Sequence, residues 1–156
     1  MWQLKTNSDV YDNMIAISFV GQTKLLRLIG EDVEETHLEG FKCHEQTLFC
    51  GNIAQNSKQL ILQATSGSIQ LLCPKENCVI DEWKKAQSIS LISTNEGQII
   101  CSSRSNLYYL EVIDGKIKLI NECEMEYEAS CVDISPLVQK KSTLCAVGLW
   151  KDISVR

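Results

Sequence analysis

Apolar residues along this chain recur in short runs of strand length, separated by polar or glycine-containing breaks, and helical periodicity is nearly absent. The runs fall at 14–20, 24–29, 47–50 with Ile53, 59–63, 68–72, 89–92, 98–101, 107–112, 117–120, 129–134 and 143–147. Each predicts a β-strand. The two prolines, Pro74 and Pro136, each follow such a run, where a missing N–H leaves no ladder bond unmade. An all-β fold is the expectation.

Four strand–turn–strand units within this pattern look alike, at 17–26, 63–71, 101–110 and 146–155. In each, a β run reaches a small or polar turn and re-enters a β run. Successive units are spaced by roughly 40 to 45 residues, the blade period of WD40-like propellers. A blade is a four-stranded antiparallel sheet whose faces pack on its neighbours. The pattern therefore predicts about three to four blades of a β-propeller. Such a stack does not close on itself, so residues 1–156 are read as an open, partial propeller truncated at both ends.

Composition narrows the function classes. The chain is 44% hydrophobic, enough for a core. Its formal net charge is −5, and its 15 basic residues are scattered, with Lys84-Lys85 and Lys140-Lys141 the densest runs. Direct phosphate binding wants clustered Lys and Arg, so this balance argues against a nucleic-acid grip. Residues 2–9 lack the apolar core of a secretory signal, and no apolar stretch approaches the ~20 residues of a membrane helix. A soluble, intracellular protein is expected.

The candidate chemistry is thin. Eight cysteines occur, most of them in apolar strand-like runs, where a free thiol behaves as a small buried hydrophobe. Cys43-His44 with His37 nearby suggests zinc, but there is no Cys-x-x-Cys pair, and Cys73 to Cys78 has no second half with ligand spacing. No metal site, cofactor or catalytic residue is expected. With His37 and His44 in one loop, a Cys–His dyad needs a specific long-range fold. The acidic run 31–35 lacks the pattern of a calcium loop and reads as a solvated loop between strands. Ser66-Gly67-Ser68 reads as a hairpin turn. Alternation gives Tyr108 and Tyr109 to opposite sheet faces, one in the core and one on the surface.

Several words of the sequence, in order and spacing over the whole chain, resemble the damaged-DNA-binding protein 1 family. They are Ser18-Phe19-Val20-Gly21-Gln22-Thr23, followed by 30–36, 48–54, Leu107-Tyr108-Tyr109-Leu110, Glu124-Met125-Glu126 and 145–154. The resemblance implies the first half of the second of three seven-bladed propellers, the one that docks the cullin-4 scaffold of a ubiquitin ligase. The role implied is that of an adaptor in protein ubiquitination and DNA-damage repair, not an enzyme. Substrate receptors bind the other propellers, nucleic acid is met only indirectly, and the location implied is the nucleus and also the cytoplasm. Glu128 and Trp150 fall where the family presents cullin-contacting side chains. By its residues alone, Trp150 reads as a ring packed between blades and Glu128 as a solvated charge in an acidic loop, 122–128. The large subunits of the cleavage and polyadenylation specificity factor and of splicing factor 3b share the architecture and match these words less well. They supply the alternative reading, a nucleic-acid-associated scaffold.

Overall fold

The alternating apolar runs close into antiparallel ladders, most of them joined by short turns. The computed structural model describes residues 1–6, 11–55, 58–85, 87–136 and 140–150. In chain order the strands are β1 (Trp2–Leu4), β2 (Met14–Phe19), β3 (Gln22–Ile29), β4 (Asp32–Thr36), β5 (Thr47–Gln55), β6 (Lys58–Thr65) and β7 (Ser68–Cys73). They continue with β8 (Cys78–Lys84), β9 (Leu91–Asn95), β10 (Gln98–Ser103), β11 (Asn106–Ile113), β12 (Lys116–Glu124), β13 (Ala129–Asp133) and β14 (Ala146–Leu149). Strands β1–β4, β5–β8 and β9–β12 each form a four-stranded antiparallel meander, and β13 pairs with β14. The first strands adjoin in sequence, β1 against β5, β5 against β9 and β9 against β13. The sheets are thus successive blades of a partial propeller.

The turns follow from local residues. Asp114 and Gly115, between β11 and β12, both take positive φ, 52° and 74°. That pairing defines a type I′ turn, whose twist matches the flanking strands. The predicted Ser66-Gly67 turn joins β6 to β7.

The sheets are apolar on both faces because each inner sheet has two neighbours. Ile61 of β6 points into a core with Leu4, Met14, Leu25, Phe41 and Leu72, while Leu62 and Ala64 point into the next core with Ile99, Tyr108 and Leu110. Strand β10 repeats the division: Ile99 and Cys101 face the middle core, Ile100 the third, with Leu107, Val147 and Leu149. Every residue of β7 and β10 is buried. Tyr108 is buried against Trp83, their rings 5.7 Å apart. Tyr109, on the opposite face, is not simply on the surface. It packs half-buried against the third core, and its hydroxyl accepts a hydrogen bond from Gln98 at 2.8 Å.

Three strands carry no signal in the sequence pattern: β1, β4 and β8. The acidic run expected to be a loop is the edge strand β4, whose Glu35 pairs with Lys24 across the ladder at 3.2 Å. Charges on an exposed edge discourage further strand pairing, so strand formation and a charged sequence are compatible there. The burial expected of the cysteines holds for Cys50, Cys73 and Cys101, while Cys123, Cys131 and Cys145 are exposed. Burial pushes the Cys50 and Cys101 thiols up to about 12, which keeps them protonated and unreactive.

A polar relay crosses the first pair of sheets. Thr23 of β3 and Thr47 of β5 share a hydroxyl hydrogen bond of 2.8 Å, and Gln63 Nε2 donates to Thr47 Oγ1 at 2.9 Å. Gln70 Nε2 donates in turn to Gln63 Oε1 at 2.7 Å and to the Gly40 carbonyl at 2.9 Å. All four side chains are buried. Beside them Lys42 Nζ donates to Glu82 Oε1 at 2.8 Å. Burial alone would raise the Glu82 pKa, but hydrogen bonds from Lys42, Lys84 and Ser68 and the charge of Lys42 outweigh it. They hold the carboxyl down at about 2. Among the described residues, no buried side-chain nitrogen or oxygen is left without a partner.

Two outcomes follow from this packing. Leu62→Ala, at a position with no exposed surface, is expected to lower stability by about 3 kcal/mol in urea titration, the transfer term plus the cavity left between two sheets. Glu82 has a folded-state pKa below its ordinary 4.5, so its pairing stabilises the fold above that pH and is lost as pH falls toward 2. Its side chain is 25% exposed, and with screening the contribution is on the order of 1–2 kcal/mol. Denaturation midpoints taken between pH 6 and 2 are expected to fall less steeply in Glu82→Gln than in the wild type.

Candidate protein-docking site

Each segment that leaves a sheet is tied back to a turn by a backbone hydrogen bond. Thr23 N donates to the Cys43 carbonyl, Ile89 N to Ser66, and Met125 N to Ser105, at 2.8, 2.8 and 2.7 Å. The last of these bonds pins the 125–128 segment, which links the third sheet to β13. Met125 and Tyr127 of that segment also pack against the third core. Glu128 follows at once, exposed, on the threshold of β13.

Trp150 stands just beyond the last residue of β14. Its N–H donates to the Glu128 carbonyl at 3.0 Å, so the two predicted site residues meet at one end of the β13–β14 ladder. The ring of Trp150 is 74% exposed. The acidic loop expected over 122–128 is shorter, because β12 runs to Glu124. Glu122 is paired with Lys85 at 2.8 Å, while Glu124, Glu126 and Glu128 are exposed. The surface thus presents a large aromatic side chain whose backbone is tied to Glu128, and exposed carboxylates at 124, 126 and 128 along the adjoining segment. An aromatic anchor buries much area at low entropy cost, and an acidic rim favours encounter with a basic partner.

A β-bulge sets this geometry. The register of β13 against β14 shifts between Ala129 and Cys131, so that Ala129 pairs with Leu149 and Cys131 with Gly148. A Cβ on Gly148 would lie 2.7 Å from Cys131 Sγ and 3.0 Å from Ser130 Oγ. A Cβ there would force the ends of the Cys131 and Ser130 side chains to move, while the nearest backbone atom, Cys131 N, lies 4.0 Å away. Sequence reasoning missed Met125 and Tyr127 as supports of the site. Their apolar character within an otherwise acidic stretch is the signal that marks them. The fourth repeat unit, predicted at 146–155, lies outside the described residues beyond Trp150.

Other chemistry is sparse. Between β11, β12 and the 142–145 segment lies an apolar pocket of about 350 Å³, lined by Ile100, Leu107, Tyr109, Ile134 and Leu144 among others. Among the described residues, no group of three or more His, Cys, Asp or Glu is placed to hold a metal ion. Nor is any helix there long and apolar enough to cross a membrane. His37 lies on the surface, 3.9 Å from Glu39.

A family model described as the RSE1/DDB1/CPSF1 second β-propeller matches residues 1–156. DNA damage-binding protein 1 of Drosophila melanogaster is 38% identical over 160 residues, covering 99% of this chain and 14% of that protein. The protein of the same name from Oryza sativa subsp. japonica is 36% identical over 163 residues, covering 100% of this chain and 15% of its own length. DNA damage-binding protein 1a of Arabidopsis thaliana is 37% identical with the same coverage. The chain thus spans about one-seventh of the length of these curated relatives.

Gly148→Ala is expected to destabilise the β13–β14 pair by about 1 kcal/mol through overpacking against Cys131. The added change Cys131→Ala is expected to restore most of that loss in thermal unfolding.

Proposed function

The chain belongs to the RSE1/DDB1/CPSF1 second β-propeller family, and from that membership we propose that it is a docking scaffold for cullin-4 within a ubiquitin ligase adaptor. The scaffold breaks no bond. Its blades hold a fixed surface, so that a ligase and a substrate bound elsewhere on the same protein meet at high effective concentration. Trp150 is the contact that buries most area, and Glu128 supplies a carboxylate at its edge. The observation that carries this reading is the pairing of an exposed Trp150 with Glu128 through one backbone hydrogen bond.

The remaining parts of this reading rest on the relatives. The relatives named DNA damage-binding protein 1 support a part in the response to DNA damage, and the location that goes with this reading is the nucleus and also the cytoplasm. Substrate receptors dock on other parts of the longer protein. Nucleic acid is met through partners, in keeping with a net charge of −5 and scattered basic residues.

The test is a pull-down of cullin-4 by a full-length protein built on this sequence, wild type against Glu128→Ala with Trp150→Ala. Loss of most binding in a double variant that keeps its circular dichroism and melting temperature is the expected result. Wild-type protein that fails to bind cullin-4 points to the scaffold role of the polyadenylation and splicing relatives. Binding that ignores both substitutions retains the partner and moves the site elsewhere.

A further inference from the structure

Cys73 ends β7 and Cys78 opens β8, and the two stand directly opposite each other in the ladder. Opposed residues of an antiparallel pair hold their Cα atoms about 4.5 or 5.5 Å apart, according to their hydrogen-bonding class. Both distances lie within the roughly 4.4–6.8 Å that a disulfide spans. Both thiols are free. Cys73 is buried, and Cys78 is partly exposed.

The turn between them is held from two sides. Asn77 sits in the left-handed region at φ 50°, and its side-chain oxygen accepts the Glu39 N–H at 2.9 Å. Lys58, from neighbouring β6, pairs with Glu76 of the turn at 2.8 Å. The Lys58 ammonium is stabilised first by that hydrogen bond and the Glu76 charge, and in smaller part by its interaction with both sulfurs. The site therefore combines an accessible thiol and a second thiol directly opposite it, beside a turn held on both sides. Neither the docking surface nor the cores require that combination.

We propose that Cys73 and Cys78 form a dithiol modification site that hydrogen peroxide closes, reversibly, into a cross-strand disulfide. Cys78, the accessible sulfur, attacks the peroxide as thiolate. An S–O bond forms, the O–O bond breaks, and the leaving hydroxide takes up a proton as water. Cys78 is then a sulfenic acid. The sulfur of Cys73 attacks that of Cys78, forming S–S and breaking S–O, and the departing hydroxide leaves as water with the Cys73 proton. Two thiols are oxidised and one peroxide is reduced to two waters. A dithiol reductant reverses the closure.

Tryptic peptides make the test direct. Cleavage after Lys58, Lys75 and Lys84 leaves Cys73 in 59–75 and Cys78 in 76–84, with no other cysteine in either peptide. The full chain is treated with hydrogen peroxide under native conditions, alkylated, digested and read by mass spectrometry. A linked 59–75/76–84 pair that dithiothreitol releases is the expected product. Cys73→Ala is expected to leave Cys78 as a sulfenic acid that dimedone traps. The proposal is overturned if both thiols remain alkylatable, or if Cys78 passes to sulfinic acid in the wild type. It is equally overturned if the native chain gives the same mixture of cysteine pairings as the chain unfolded in urea.

Discussion

The constraint on which this structure depends is that an inner blade must bury both of its faces. A sheet with water on one side needs apolar residues only at alternate positions. A sheet between two others needs them at every position, and its strands lose the alternation by which strands are usually read. Strands β7 and β10 show the result, buried along their whole length, with polar residues such as Gln70, Ser102 and Ser103 admitted on the same terms as Leu and Ile. Strand β3, in a sheet packed on one side, keeps a buried position at every second residue near its start and is exposed toward its end. The three cores are therefore not separate. Successive residues of one strand are shared between two of them, so each inner strand couples its neighbours.

That constraint explains which elements were legible in the sequence. Strands β6, β7 and β10 stand out because a doubly buried strand is a dense apolar run, β2, β3 and β11 by their apolar alternation, and hairpin turns such as Ser66-Gly67 punctuate them. Strand β8 did not stand out, because it is an outer strand whose Val79 and Ile80 are exposed and whose Asp81 and Glu82 serve as hydrogen-bond acceptors. Strand β4 is nearly all charge on its exposed side and reads as a loop until its pairing with β3 is seen. Strand β1 is too short to leave a pattern. Tyr109 was misplaced for a related reason. Its face meets the third core, and periodicity cannot tell a face that is covered from one that is bare.

The candidate site was legible only through family resemblance. Nothing in the spacing of Glu128 and Trp150, 22 residues apart, brings them together. Their meeting depends on a ladder whose register is offset by one bulge. The dithiol was hidden in the same way. Cys73 and Cys78 read as ordinary apolar residues flanking a proline until β8 is recognised as a strand, and only its register sets the two sulfurs face to face. In both cases the residue types were visible, and the partner was a matter of pairing.

The relay from Thr23 through Thr47 and Gln63 to Gln70 has a mechanical consequence. Apolar side chains in contact tolerate small rotations of one sheet on the next, because dispersion attraction changes slowly with angle. Hydrogen bonds do not, since they weaken steeply once their angles open. The relay therefore works as a key in a slot, fixing the rotational phase of the second blade relative to the first. A torque applied at the rim of one blade is handed to the next as whole-body rotation, with little of it absorbed in slip between them. Such stiffness lets a propeller present distant surfaces at a constant angle.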